Sequence, residues 1–334
     1  MILAGDIGGT KTVVGLFADR GARLEMEAQT TASSAEHSSL EEILMPFLAE
    51  QGSPRLEAAS FAVAGPVVDG VCRTTNLPWV LEEERLAEIL GGAPVRLLND
   101  LEGTAFGMLY LPPEQIVELQ PGRVPPRSGH VAVIAAGTGL GEAYLYWDGR
   151  RHHPVASEGG HADFAPRTDE EVDLLLYLRE RLGGRVSWER VLSGAGLRDI
   201  YAFLRDTGRF REPQWLAEQM AAGDAGALIS EASGSGGEDI CIATMEIFAE
   251  LYGAEAGNMA LRALTWGGVF VGGGIAAKNL GLLRSGAFLR GFSDKGRFTE
   301  LMADIPVRVS TNPDTALLGA AHHAWAERVM AGAP

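Results

Sequence analysis

Asp6-Ile7-Gly8-Gly9-Thr10-Lys11-Thr12 stands between two apolar stretches, residues 2–4 and residues 12–17, the second rich in β-branched side chains. A strand, a tight glycine turn and a second strand are the elements of a β-hairpin. Two adjacent glycines also let the backbone turn with its N–H groups facing inward, as binding of a phosphate requires. Thr10 adds a hydroxyl donor, Lys11 a cation, and Asp6 a carboxylate that can anchor magnesium through water. An ordinary hairpin turn is the competing reading, since short glycine motifs recur widely.

The same grammar returns further along. Gly137-Thr138-Gly139-Leu140-Gly141 follows the apolar residues 131–135. It is not the dinucleotide fingerprint, because its third glycine arrives one residue early and no helix pattern follows. Two such turns could clamp the two ends of a triphosphate. Gly272-Gly273-Gly274 follows the apolar residues 269–271 and would let the backbone approach a flat group such as adenine, or simply turn. Asn99 and Asp100 follow an apolar strand at residues 95–98, where a carboxylate serves either as a general base or as a helix N-cap. Ser157-Glu158-Gly159-Gly160-His161-Ala162-Asp163 separates acidic groups and an imidazole by two glycines, so that they can converge on a polar ligand such as a sugar. A Glu/His/Asp trio without a second His is weak for zinc. Glu189 is either a further acceptor or a solvated helix residue. The pairs His152–His153 and His322–His323 diverge on any regular element and read as structural or surface residues.

Around these motifs the chain alternates strand and helix patterns. Helices are expected over 38–51, with Ser38 and Glu41 as a capping box, over 81–90, and over 169–182 with Thr168 and Glu171 as a second box. Further helices are expected over 188–192, 197–205, 215–231, 239–264 and 315–330. Five prolines within residues 111–129 mark a loop or a domain crossover, and residues 233–237 read as a surface loop. Alternating elements followed by helices predict an α/β architecture, two lobes with a cleft. The 334 residues suffice for two domains, and 46% hydrophobic residues exclude a disordered chain. A net charge of −16 argues against nucleic acid and anionic membrane surfaces as partners. No apolar run approaches about 18 residues, and the N-terminus lacks the charged region of a signal peptide. Two distant cysteines, Cys72 and Cys241, give neither a disulfide framework nor a zinc tetrad, as expected of a reduced, cytoplasmic protein.

Taken together, GDIGGTK (5–11), FAVAGPV (61–67), TNLPW (75–79), LLNDLEGTAFG (97–107), AGTGLG (136–141), SEGGHADFAP (157–166), WERVLSGAGL (188–197) and VFVGGGIA (269–276) resemble the bacterial glucokinase family. NPDTALLGAAHHA (312–324) also fits. The resemblance implies a two-lobed actin-like ATPase (ribonuclease H-like) fold with a central cleft. It implies a small lobe of residues 1–110 plus 313–334 and a large lobe of residues 111–312. It implies ATP-dependent phosphorylation of glucose at its 6-hydroxyl, the first step of glycolysis, with Mg²⁺ and a homodimer. Asp100 would be the base, and Asn99, Glu158, His161 and Glu189 would hold the sugar. Asp6, Ile7, Gly8, Gly9, Thr10 and Lys11 would embrace the phosphates together with Gly137, Thr138 and Gly139, Asp6 also serving the metal. Gly272, Gly273 and Gly274 would lie near the adenosine. Related repressor–kinase sugar kinases carry a zinc-binding cysteine cluster beside their sugar-binding His. Its absence here favours the zinc-free branch, although Lys11 stands where that branch often has Asn. A kinase for mannose, fructose or an N-acetylhexosamine, another phosphoryl donor, a non-catalytic sugar sensor and an actin-like assembly protein are the alternatives.

Overall fold

The computed structural model describes residues 1–21, 23–123, 128–223, 225–234 and 236–331. They group into two units: Met1–Gln115 with Tyr144–Ala156 and Asn312–Pro334, and Ile116–Ala143 with Ser157–Thr311.

In the first unit β1 (Ile2–Ile7), β2 (Lys11–Asp19) and β3 (Leu24–Ser33) form an antiparallel meander. Helix α1 (Glu41–Glu50) leads to β4 (Ala58–Val63), parallel to β1. A small antiparallel sheet of β5 (Val67–Val68), β6 (Val71–Arg73) and β7 (Val80–Glu82) follows. Then come α2 (Glu83–Ile89), β8 (Val95–Asn99), parallel to β4, and α3 (Asp100–Met108). The main sheet has the order β3-β2-β1-β4-β8.

The second sheet has the order β12-β11-β10-β13-β14-β9. Its strands are β9 (Ile116–Gln120), β10 (Val131–Ala136), β11 (Leu140–Trp147), β12 (His152–Ser157), β13 (Gly268–Gly272) and β14 (Val307–Ser310). Between β12 and β13 run α4 (Asp169–Leu182), α5 (Gly194–Asp206), α6 (Gln214–Ala222), α7 (Ala225–Ala232) and the 25-residue α8 (Asp239–Ala263). After β13 come α9 (Gly273–Lys278), α10 (Leu280–Arg284), α11 (Ala287–Ser293) and α12 (Thr299–Met302). The last helix, α13 (Thr315–Ala331), belongs to the first unit.

Strand alternation decides which way the first site faces. Leu3 and Ile7 of β1 pack with Leu40, Ile43, Leu44 and Phe47 of the α1 region, all buried. Ile2 and Ala4 face the alanine-rich side of α13, Ala316, Leu317, Ala320, Ala321 and Ala324. Asp6 shares the parity of Ile2 and Ala4, so it projects on the α13 side of the sheet. Helix α3 lies so closely against β4 and α13 that a Cβ at Gly103 would meet the Ala62 side chain of β4, one at Gly107 the Thr315 carbonyl, and one at Gly319 the Gly103 carbonyl. Glycine at these three positions lets the helix carrying Asp100 sit directly on its neighbours.

Several expectations are corrected. Helix α1 starts at Glu41, and Ser38 pairs with Glu42, not Glu41, its N–H and hydroxyl donating at 2.8 and 2.6 Å. Residues 80–82 are a strand, because pairing of Leu81 with Cys72 buries both side chains and overrides the helical pattern. Residues 188–192 form only a 3-10 turn, Trp188–Arg190. The expected single helix over 215–231 is two, α6 and α7, broken where Gly223 becomes extended. Residues 111–129 contain the edge strand β9, antiparallel to β14. Pro125 and Pro126 of that stretch, and Ser235 of the expected loop 233–237, lie outside the described residues. The helices α9–α12 were not anticipated. Thr168 does cap α4, but the Glu171 carboxylate accepts from the Arg167 N–H. No described helix is long and apolar enough to cross a membrane.

Candidate active site

In the first unit the turn after β1 closes when the Gly8 N–H donates to the Lys11 carbonyl at 3.0 Å. Ser34 holds it from the side: its hydroxyl donates to the Gly8 carbonyl at 2.7 Å and its N–H to the Thr10 carbonyl at 3.0 Å. Neither Gly8 nor Gly9 has a positive φ. Space is what excludes a side chain at Gly9, where a Cβ would stand 2.7 Å from that of Asn76. The expectation that the turn's N–H groups face inward to a phosphate is corrected for Gly8, whose N–H is engaged inside the turn.

Asp6 sits just before this turn. Burial first, then the Asp100 and Asp314 carboxylates, push its pKa up to about 6, against the pull of Lys11. Asp100 opens α3. Asn99, not Asp100, is the N-cap: its Oδ1 accepts from the Leu101 N–H at 2.9 Å, and Glu102 accepts from the Asn99 N–H at 2.9 Å, completing a capping box. The Asp100 Oδ1 also accepts from the Leu101 N–H at 2.9 Å, which fixes the rotamer of its carboxylate. The Asn99 side-chain amide donates to the Gly65 carbonyl at 3.1 Å.

In the second unit Glu158, His161 and Glu189 converge, although Glu189 is some thirty residues distant in sequence. His161 Nε2 lies 3.9 Å from Glu158 Oε2, and Nδ1 lies 4.0 Å from Glu189 Oε1. The convergence is built by backbone: the Trp188 N–H donates to the Ala162 carbonyl at 2.9 Å, and Asp163 bridges Ser187. The buried Trp188 ring packs edge-on against Phe164 at 5.1 Å. Glu158 and His161 are well exposed, at 76% and 60% of the side chain, so both can meet a solute.

Glu189 has a second role that its sequence did not disclose. Its Oε2 accepts from the Leu140 N–H at 3.1 Å and stands 2.5 Å from where a Cβ on Gly139 would be. One carboxylate thus supports the Gly137–Gly139 turn with one oxygen and faces His161 with the other. The turn is closed by the Gly137 N–H donating to the Gly139 carbonyl at 2.9 Å. Gly273 has φ +82° and would collide with the Ala136 carbonyl if it carried a Cβ, so its glycine is obligatory. Gly272 and Gly273 join β13 to α9, a strand-to-helix junction where a simple turn was one expectation.

Two further groups went unnoticed in the sequence. The fully buried Tyr252 hydroxyl of α8 accepts from the Ala136 N–H at 3.0 Å and lies 3.2 and 3.1 Å from the Ile134 and Gly272 carbonyls, to which it donates. It ties together the ends of β10 and β13, immediately before two of the glycine turns. Glu142, 1% exposed, has one oxygen without a hydrogen-bond partner, and its other oxygen fills the space that a Cβ on Gly159 would need. Burial, then the buried Glu255 carboxylate, push its pKa up to about 8, partly offset by Arg262. Nothing local announces either residue; Asp314, by contrast, lies in the NPDTALLGAAHHA stretch.

The glucokinase family model matches residues 3–327. The chain belongs to the glucokinase family. A glucokinase from Synechocystis sp. is 43% identical over 96% of this chain and 96% of its own. Among solved structures, glucokinase from an Antarctic psychrotroph superposes with a TM-score of 0.87 at 30% identity, covering 97% of this chain and 98% of that one. A ROK-family glucokinase from Streptomyces griseus, solved with glucose and AMPPNP, gives a TM-score of 0.60 at 22% identity, covering 97% and 99%. At that identity the last likeness shows the fold alone. The fold is that of the actin-like ATPases, and the protein is a hexose kinase of the glucokinase family.

Proposed function

We propose that the protein transfers the γ-phosphoryl group of ATP to the 6-hydroxyl of D-glucose, with Asp100 as the base. One observation supports the assignment: β1, β4 and β8 run parallel with Ile7, Val63 and Asn99 in register, which sets Asp100 at the same sheet end as the turn assigned to the phosphates. Phosphoryl transfer asks chiefly for positioning and charge neutralisation. Asp100 accepts from and orients the hydroxyl, taking its proton late in a loose transition state. Asn99, Glu158, His161 and Glu189 read the other hydroxyls through directed hydrogen bonds, which penalise epimers strongly.

Asp6, Ile7, Gly8, Gly9, Thr10 and Lys11 are assigned to the phosphates, as are Gly137, Thr138 and Gly139; Gly272, Gly273 and Gly274 are assigned to the adenosine. Asp6 fits magnesium: it offers carboxylate oxygens, and burial first, then the neighbouring Asp100 and Asp314 carboxylates, raise its pKa, a charge that a cation would offset. Among the described residues no group of three or more His, Cys, Asp or Glu forms a metal cage. Magnesium characteristically uses one or two carboxylates plus phosphates and water, so Asp6 suffices as its protein anchor. Bound there, it would neutralise charge on the transferring phosphoryl group. AMPPNP in the Streptomyces griseus enzyme supports ATP as donor. We place the reaction at the first step of glycolysis, in the cytoplasm, in a homodimer.

A coupled assay with glucose, ATP and Mg²⁺ tests the activity. Asp100→Ala should lower kcat on the order of 10²–10⁴-fold while calorimetric glucose affinity stays near wild type. Turnover close to wild type in that variant would remove Asp100 from the role.

A further inference from the structure

Glu158, His161 and Glu189 are built against the first residues of β11. The Leu140 N–H donates to Glu189 Oε2 at 3.1 Å, and the Leu140 carbonyl occupies the place of a Cβ on Gly160. Two residues on, and on the same face of the strand, the Glu142 carboxyl occupies the place of a Cβ on Gly159. We infer that Glu142 is a positioning residue for the sugar: its buried carboxyl supports the Glu158–His161 turn from beneath and holds it in the shape that presents both side chains.

Neither Gly159 nor Gly160 has a positive φ, so the approach to β11, not the backbone angle, is what requires glycine there. The turn is shaped by the Gly159 N–H donating to Ser157 Oγ at 3.0 Å, the His161 N–H to the Glu158 carbonyl at 3.0 Å and the Ala162 N–H to the Gly159 carbonyl at 2.8 Å. Those bonds all run within residues 157–162. They give the turn its shape, and the Leu140 carbonyl and the Glu142 carboxyl set how closely it lies on the strand. An apolar side chain would fill an inward strand position at less cost than a carboxyl. Glu142 is almost wholly buried, and one of its oxygens has no hydrogen-bond partner. A polar group kept under that penalty, directly beneath residues assigned to a ligand, points to a role beyond packing.

The groups around Glu142 decide its charge. From α8 it is faced by Glu255, by Arg262, which already donates to Glu255 at 2.6 Å, and by the Tyr252 hydroxyl; Lys295 acts on Glu255. From the turn it is faced by the exposed Glu158 and His161, with Glu189 beyond. Burial, then Glu255, push its pKa up to about 8, so the support is chiefly neutral at pH 7. Above that window it becomes a buried anion beside Glu255, which must be rehydrated, and rehydration opens the contact with Gly159.

The inference rests on the reading that Glu158 and His161 hold glucose, and the experiment separates the two. Glucose is titrated calorimetrically into the full chain, with His161→Ala reading the sugar assignment itself. At pH 7 Glu142→Ala should weaken glucose on the order of tenfold, the worth of one well-aimed hydrogen bond, while the KM for ATP stays put. Gly159→Ala alone should also weaken glucose, by forcing the turn off Glu142. Glu142→Ala/Gly159→Ala should bind better than either single variant, because the new methyl group takes the space that the carboxyl leaves. Glu142→Gln keeps the shape without titrating. It should match wild type at pH 7 and keep its affinity to pH 9, where wild type loses several-fold, since binding to the neutral form takes up a proton. If His161→Ala weakens glucose and Glu142→Ala does not, or if the double variant gains nothing over the single ones, the inference is overturned and the sugar reading stands. If His161→Ala changes nothing, both fall. Should Glu142→Ala not fold, Glu142→Gln decides: a loss of affinity above pH 8 equal to that of wild type overturns the titrating support.

Discussion

Tyr252→Phe removes one oxygen from the ends of β10 and β13, next to the turns proposed for the nucleotide. The hydroxyl is within hydrogen-bond distance of three backbone groups, the Ala136 N–H and the Ile134 and Gly272 carbonyls, at 3.0, 3.2 and 3.1 Å. Its loss leaves the Ala136 N–H without this acceptor in a buried place, which costs about 1–3 kcal/mol, and forfeits a donated bond of about 1 kcal/mol. The sum, about 2–4 kcal/mol, corresponds to a fall in unfolding midpoint of about 3–6 °C for 334 residues unfolding together. The kinetic consequence is more specific. The ladder still pairs β10 with β13 up to Ala135 and Gly272, but its end, next to the Gly137–Gly139 turn and the Gly272–Gly274 junction, loses this added tie. The KM for ATP should then rise several-fold while that for glucose stays put. Differential scanning calorimetry and steady-state kinetics with each substrate varied in turn measure both. A lowered midpoint with an unaltered ATP KM would reduce Tyr252 to a packing residue. An unaltered midpoint would refute the hydrogen-bond reasoning itself.

Lys11→Ala should raise the ATP KM more than Lys278→Ala does; equal effects would detach Lys11 from the phosphates. Glu142 has a folded pKa of about 8 against an ordinary value of 4.5, so the folded state binds the extra proton, and stability is lost as pH rises through that window. Glu142→Gln should accordingly gain stability in urea at pH 8.5 and little at pH 4.5; a gain independent of pH would contradict a titrating Glu142. His322, buried against Tyr110, is depressed by burial from 6.5 to about 4. There the unfolded chain binds the proton first, so stability falls as pH drops from 6.5 toward 4, by about 3 kcal/mol in full. His322→Phe should flatten that acid limb of the urea midpoint; a limb as steep as wild type would assign the loss to other groups.

What was legible in the sequence was chemistry carried by short, contiguous runs. Glu158 and His161 lie three residues apart, and Asn99-Asp100 after an apolar strand marks a helix start. The glycine turns declare themselves by composition, though for Gly9 the reason proved to be the Asn76 side chain rather than φ. What was not legible depends on partners far away. Tyr252 lies in an apolar helix, and its acceptors are 118 and 20 residues distant. Glu142 reads as the polar side of a strand until α8 brings Glu255 against it. Strand β9 is half-buried at a sheet edge, so its alternation is weak and its neighbouring prolines dominate the pattern. Residues 188–190 keep a helical pattern yet fold as a 3-10 turn, because Trp188 must reach the Ala162 carbonyl for Glu189 to meet His161.

The net charge of −16 poses a problem for a protein proposed to take ATP, and the answer lies in where the acids are and which of them keep protons. Asp6 precedes the first glycine turn and Glu142 follows the second, and these are two carboxyls whose pKa values are pushed up, to about 6 and about 8. Burial does this in both cases ahead of any neighbouring charge. At neutral pH Glu142 is therefore chiefly neutral, and Asp6 carries a charge that a cation would stabilise further. The exposed acids that make up most of the −16 are screened over about 8–10 Å at physiological ionic strength. Beside the first turn a triphosphate would meet Lys11 together with the Asp6, Asp100 and Asp314 carboxylates, whose charge a bound cation would offset. Global repulsion slows encounter; it does not set the affinity of the site. Raising salt should therefore speed ATP association while leaving the Lys11 contribution to affinity largely in place, a separation that a uniformly anionic surface would not give.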